Sequence, residues 1–522
     1  LNDSIIGGAG NDTLQGGFGN DTMSGGAIAT YSGSDSIDAG GGNDLIVQTL
    51  YQTVNDTIIG GDDTDKLTVT RSNALTDLDN VTQVETIELL SGLNANFSYT
   101  ISNGSAFDGD TTGVTIDGDA LTSTEALVFS ATNLDRSITI LGGAGNDTII
   151  DGAGGDSIVT NAGADNITLS GAGANTVSSG SGTDSITLGA GTDSVDAGIN
   201  NDTVVGGANV TVADTLDGGD GIDLLTISND NSTNDLNNVT RFETIELAAG
   251  QSYQYVIGNN SLFDQDTVAV TVDAQALGST DSVNFDASNL DRSITILFGA
   301  GNDTIYGGNG VSDSINAGGG NDLIIMRNQL NGTDSIDGGT GNDRLTFSDN
   351  GTATSDLDHV TNIEVITLGD SVTSVVTVDA LVATGQTLTI DATGLTGTNT
   401  LNWNGSAESN GHFSVDGSGN NDTITGGAGN DTFTGGAGVD SLTGGNGNDV
   451  FVYNSAVADQ TGAGETIAGG NNIDTIVVAG GSTMVNFSND SISNVETLEM
   501  TLNVLDPGDT SFLSPLSQHV HG

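Results

Sequence analysis

Gly7-Gly8-Ala9-Gly10-Asn11-Asp12-Thr13-Leu14-Gln15 runs straight into Gly16-Gly17-Phe18-Gly19-Asn20-Asp21-Thr22-Met23-Ser24, so the same nine-residue pattern occurs twice in succession. Each kind of residue in it has a separate physical use. Glycine lets the backbone turn with positive φ, aspartate offers a hard oxygen, and the apolar residue two places later points into a narrow interior, as alternate side chains of a strand do.

The register extends along the chain. The first cluster carries Asp3, Asp12, Asp21, Asp35, Asp44, Asp56 and Asp65, each followed two places on by an apolar residue, from Ile5 and Leu14 to Ile58 and Leu67. The second has Asp147, Asp156, Asp165, Asp184, Asp193, Asp202, Asp214 and Asp223, with a degenerate unit at Asn175. The third has Asp303, Asp313, Asp322, Asp334 and Asp343, and the fourth Asp422, Asp431, Asp440, Asp449, Glu465 and Asp474. A disordered Gly/Asp linker has no need of an apolar residue at a fixed offset, so 26 positions in register argue for a repeated β-structure.

Blocks of a second kind, richer in Val, Ile, Leu and Thr, separate the clusters. The organisation reads as a roll over 1–68, a block over 69–140, a roll over 141–226, a block over 227–296, a roll over 297–346, a block over 347–415, a roll over 416–477, a partial block over 478–505 and a tail over 506–522. Asn80-Val81-Thr82-Gln83-Val84-Glu85-Thr86-Ile87-Glu88-Leu89 returns as Asn238-Val239-Thr240-Arg241-Phe242-Glu243-Thr244-Ile245-Glu246-Leu247, with looser copies at 359–368 and 494–500. Alternating β-branched and polar residues make these blocks small β-sandwich or β-helix-like units. Before the last unit of the first three clusters the aspartate spacing widens to 12, as from Asp202 to Asp214, which suggests an enlarged loop that caps a roll.

With 69 acidic and 7 basic side chains, the 522-residue chain has a formal charge of −62, and a metal-free form repels itself. That balance argues against nucleic acid as a partner, which needs Lys/Arg clusters, and against attraction to anionic lipid. No apolar run is long enough to span a membrane. The chain has no cysteine and hence no disulfide framework, and starting at Leu1 inside a repeat it reads as a fragment or processed product.

Aspartates two repeat units apart, such as Asp3 and Asp21 or Asp431 and Asp449, are placed to share a cation between adjacent coils. Backbone carbonyls can complete a shell of 6–8 oxygens. Calcium (Ca2+) fits hard oxygens, and the dissociation constants of extracellular calcium modules, about 10⁻⁴ to 10⁻³ M, place the protein outside the cell. All 26 acidic positions are the candidate ligands.

The units match the G-G-x-G-x-D-x-U-x pattern and resemble the RTX calcium-binding nonapeptide repeats of secreted bacterial proteins. The resemblance implies an all-β fold of parallel β-roll segments with calcium in the turns, and type I secretion. Alternation with the Val-Glu-Thr-Ile-Glu-Leu blocks looks most like surface-layer and extracellular-filament RTX proteins. It implies a homo-oligomeric sheet or filament, held to the surface by a polysaccharide or lipopolysaccharide anchor. The other readings are the extender of a secreted adhesin and the C-terminal carrier of an RTX enzyme or toxin. The sequence contains neither H-E-x-x-H nor G-x-S-x-G, the isolated His359 and His412 read as loop residues, and no catalytic role is expected. Arg136 and Arg292, in a repeated Leu-Asp-Arg-Ser, are expected in a salt bridge or, on the sharper reading, an intermolecular contact.

Overall fold

The structure, a computed structural model, describes residues 1–26, 33–48, 55–70, 76, 78–91, 96–228, 233–348, 356–371, 374–454, 464–479 and 490–501. The tail over 506–522, with both prolines and two of the four histidines, lies outside the described residues. The chain divides into two units, Leu1–Ala248 with Asn260–Val270, and Ala249–Asn259 with Thr271–Gly522.

In both units the elementary piece is a strand of a few residues closed by a glycine turn. In Thr148–Ile150, Asn166–Thr168 and Ser185–Thr187 the middle side chain is buried and its neighbours face outward, as the two-residue period of a strand requires. Alternate strands fall in alternate sheets, and their pairings are parallel from the first roll to the last. Ile149, Ile167, Ile186 and Val204 stack directly above one another, one coil for every two repeat units, and none is exposed.

The first unit contains a 12-stranded sheet running from Ser4–Ile6 to Val239–Thr240. Its opposite strands form a four-stranded sheet from Thr13–Phe18 to Val81–Thr82 and then a series from Phe97–Thr100 to Thr244–Leu247. In the second unit a 12-stranded sheet runs from Tyr253–Val256 to Thr497–Thr501, with a six-stranded sheet from Val375–Val376 to Ser491–Ser493 among its opposite strands.

The blocks are therefore larger coils of the same kind, and the β-sandwich alternative falls away. Thr86 pairs with Thr115, Thr115 with Thr139, and Thr139 with Ser157, so two long coils of the block hand over to a short coil of the roll within a single sheet. The hand-over works because Ile87, Ile116, Ile140 and Ile158 hold the buried place throughout. Wider coils need larger side chains, and the first block supplies Phe97, Tyr99, Phe107 and Phe129, each at most 2% exposed.

The widened loop of the second roll does not cap it either. Between Asp202 and Asp214 the insertion tucks Val210 into the interior, 1% exposed, and ties Thr211 N and Oγ1 to Asp214 Oδ2, while Leu216 and Leu225 continue the sheets. Arg136 forms no salt bridge among the described residues. Its guanidinium lies 4.8 Å over the Phe107 ring and donates to Phe107 O at 3.4 Å, within the first unit.

Because the interior is one strand-pair thick, each core side chain has few substitutes. Ile186→Ala is expected to cost about 2–5 kcal/mol, read as a lower urea midpoint with an unchanged m-value in calcium.

Candidate metal centre

The 26 acidic positions sit just before their strands, most of them at the end of a glycine-rich turn, and 23 are buried; Asp3, Asp12 and Asp35 are the more open ones. Burial follows from their place inside the turn rather than on the coil surface.

The carboxylates form ladders. Asp3 N donates to Asp21 Oδ1 at 2.6 Å, Asp21 N to Asp44 Oδ1 at 2.7 Å and Asp44 N to Asp65 Oδ1 at 2.8 Å. On the other edge Asp12 N reaches Asp35 Oδ1 and Asp35 N reaches Asp56 Oδ1, both at 2.9 Å. In the second roll the rungs are Asp147, Asp165, Asp184, Asp202 and Asp223 on one edge. Asp156, Asn175, Asp193 and Asp214 make the other. Asp303, Asp322 and Asp343 with Asp313 and Asp334 repeat the arrangement, as do Asp422, Asp440 and Glu465 with Asp431, Asp449 and Asp474.

Pairs 18 apart are thus stacked as expected, and so are pairs at 19, 21, 23 and 25, because inserted residues loop out and leave the rung in place. Asn175, which reads as a degenerate unit, is a full rung: its Oδ1 accepts from Asp156 N at 2.8 Å.

Asparagines beside the aspartates bond in the opposite sense. Asn20 N donates to Asn2 Oδ1, Asn43 N to Asn20 Oδ1, and Asn448 N to Asn430 Oδ1. Consecutive Asn-Asp turns are therefore stitched both ways without any ion.

Sequence reasoning missed the last rungs. Glu85 Oε2 accepts from Asp65 N at 2.6 Å, Glu243 from Asp223 N at 2.6 Å, Glu364 from Asp343 N at 2.7 Å and Glu496 from Asp474 N at 2.9 Å. All four are the first glutamate of the repeated block stretch, and each keeps the two-residue offset to an apolar residue that marks the repeat aspartates. That offset was a usable signal. Glu243→Ala would leave the Asp223 N–H without its acceptor, a loss of about 1–3 kcal/mol, visible as a lower urea midpoint that Glu243→Asp or Glu243→Gln partly restores.

The second carboxylate oxygen carries the chemistry. Oδ2 of Asp21, Asp44, Asp65, Asp147, Asp165, Asp202, Asp303, Asp322, Asp343, Asp449 and Asp474 is buried with no hydrogen-bond partner in the chain. Burying a carboxylate oxygen unpaired is costly, and the usual remedies are a proton or a cation. Burial pushes Asp147, Asp202 and Asp449 up to about 7 and Asp65, Asp165, Asp223, Asp303, Asp322 and Asp343 up to about 6.

The space beside that oxygen is kept by glycine. A Cβ at Gly7, Gly16, Gly60, Gly142, Gly417, Gly426, Gly435, Gly444 or Gly469 would lie closer than 3.0 Å to Oδ2 of the aspartate five residues on. At Gly7, Gly417, Gly426 and Gly444 it would also strike the carbonyl of the matching glycine one coil further. Among the described residues no three carboxylate or imidazole side chains converge, so an ion here must draw on those carbonyls as well. An orphaned carboxylate oxygen beside backbone carbonyls is a hard-oxygen donor set that suits calcium.

The RTX calcium-binding nonapeptide repeat family matches residues 1–27, 28–47, 139–168, 169–208, 299–324, 330–346 and 416–451. The chain carries RTX calcium-binding repeats. All of these RTX segments lie in the rolls, apart from the first residues of 139–168, and they coincide with the carboxylate ladders. No curated protein matches the chain. Ions held in the RTX turns would be ligated by repeat aspartates and turn carbonyls, and calcium there supplies the positive charge that stacked, buried carboxylates lack. No helix among the described residues is long and apolar enough to cross a membrane.

Proposed function

We propose that this is a non-catalytic, calcium-rigidified structural protein of a bacterial cell surface, secreted and self-assembling into a surface layer or extracellular filament. The observation that carries the reading is the uniformity of both units: rolls and blocks are coils of one parallel design, in which RTX turns recur at intervals. A coil stack locked by ions at intervals suits load-bearing more than it suits turnover. An oligomer is the natural partner for such a chain, and a polysaccharide or lipopolysaccharide anchor would hold it to the surface.

The test is electron microscopy of the purified protein before and after millimolar calcium, with circular dichroism on the same samples to separate folding from assembly. Calcium-dependent sheets or fibres are the expected result. Folded monomers that never associate would favour the extender of an adhesin, or the carrier segment of an enzyme or toxin.

A further inference from the structure

In the fourth roll the first glycine of each unit leaves a gap between two oxygens. A Cβ at Gly426 would meet Asp431 Oδ2 and Gly444 O, and one at Gly444 would meet Asp449 Oδ2 and Gly469 O. The second roll fills the equivalent gap with side chains. Five residues before their aspartates stand Asp151, Thr160, Ser179, Leu188 and Ala197, and none is more than 2% exposed.

The hydroxyls among them take the same carbonyls. Thr160 Oγ1 donates to Ser179 O at 3.1 Å, and Ser179 Oγ donates to Ala197 O at 2.6 Å. Those acceptors hold the position that Gly444 O and Gly469 O hold in the fourth roll, one coil beyond the first residue of the turn. Thr160 and Ser179 also stand five residues before Asp165 and Asp184, whose carboxyls burial pushes up. Asp151 differs, since its Oδ1 accepts from Ser170 N and Ser170 Oγ while its Oδ2 is buried with no hydrogen-bond partner. Glycine returns at the two ends of the roll, at Gly142 and Gly218.

We propose that the turns from Thr160 to Asp202 do not take calcium as the glycine-first turns do, and that this stretch is a calcium-independent core of the protein. The proposal rests on reading the glycine-first turns as calcium sites. Calcium needs 6–8 oxygens at about 2.3–2.6 Å, and here carbon atoms and a hydroxyl occupy the room while the carbonyl already accepts a hydrogen bond. Because each coil contacts only its neighbours, a segment that stays folded without the ion is a template on which adjacent coils re-form when calcium returns.

The test is hydrogen exchange of the full chain in millimolar calcium and again after chelation, with bound calcium counted after dialysis. Amides over 157–205 should change by less than about threefold while those over 423–477 lose about 100-fold or more of their protection. Comparable losses in both stretches would overturn the proposal. The absence of any bound calcium would instead sink the calcium reading itself, and the proposal with it. A Thr160→Gly, Ser179→Gly double variant should bind more calcium than the parent and make protection over 157–205 calcium-dependent; a folded variant with unchanged calcium content and unchanged exchange would also count against the proposal.

Discussion

Chelating calcium is expected to lower the thermal midpoint of the glycine-first rolls by more than any single side-chain substitution does, and to melt them ahead of the blocks. In the fourth roll, Asp431, Asp440, Asp449 and Asp474 stand on adjoining coils, each buried, beside glycines with no side chain to fill the turn. Removing the ions leaves stacked carboxylates in a chain whose formal charge is −62. An ion present at about 100 times its dissociation constant adds about 2.7 kcal/mol, so about four ions together match the whole stability of an ordinary domain, about 5–15 kcal/mol. The blocks depend on packed side chains such as Phe97, Phe129, Trp403 and Phe413, which need no ion. Calorimetry in calcium and in chelator checks this. Two transitions, of which only the lower shifts with calcium, are the expected outcome, and one calcium-independent transition would contradict it.

The second large effect is on pH, and its sign differs from that of a salt-bridged protein. Burial raises Asp147 and Asp449 from 3.8 to about 7. Between those values the metal-free fold binds more protons than the unfolded chain, so its stability falls as pH rises from about 4 to about 7 and then levels off. Calcium takes the place of the proton, so binding becomes tighter over the same range. Displacing one proton per ion, from a group near 7, should lower the half-saturating calcium concentration on the order of tenfold between about pH 5.5 and pH 6.5. Calcium titrations followed by circular dichroism at the two pH values measure this. A midpoint independent of pH would mean that the buried oxygens already have another partner.

How far the sequence could be read is clearest at particular residues. The offset from aspartate to an apolar residue located the inward-facing Ile149, Ile167 and Ile186 and all 26 rungs, because a strand's two-residue period fixes which side chain points inward. The same offset was present at Glu85, Glu243, Glu364 and Glu496 but went unread, since those residues lie in blocks that look like a different structure. The cation Arg136 invited an ionic reading, and what it found was the ring of Phe107, a full coil earlier in the chain, a contact that no local spacing foretells.

By itself, the sequence determined that this is an all-β RTX-repeat protein with calcium chemistry in its turns, because glycine, aspartate and a buried apolar residue at fixed spacing leave the backbone little choice. The tertiary structure decided three further things: that the blocks are wider coils of the same sheets, that one carboxylate oxygen is spent on the neighbouring coil's N–H while at rungs such as Asp147 and Asp449 the other is left over, and that the Thr160 and Ser179 hydroxyls occupy turns that glycine leaves unfilled. Each depends on which residues stack one coil apart. That separation is two repeat units from Thr139 to Ser157 and much longer from Thr86 to Thr115, so pairing between strands sets it and periodicity does not.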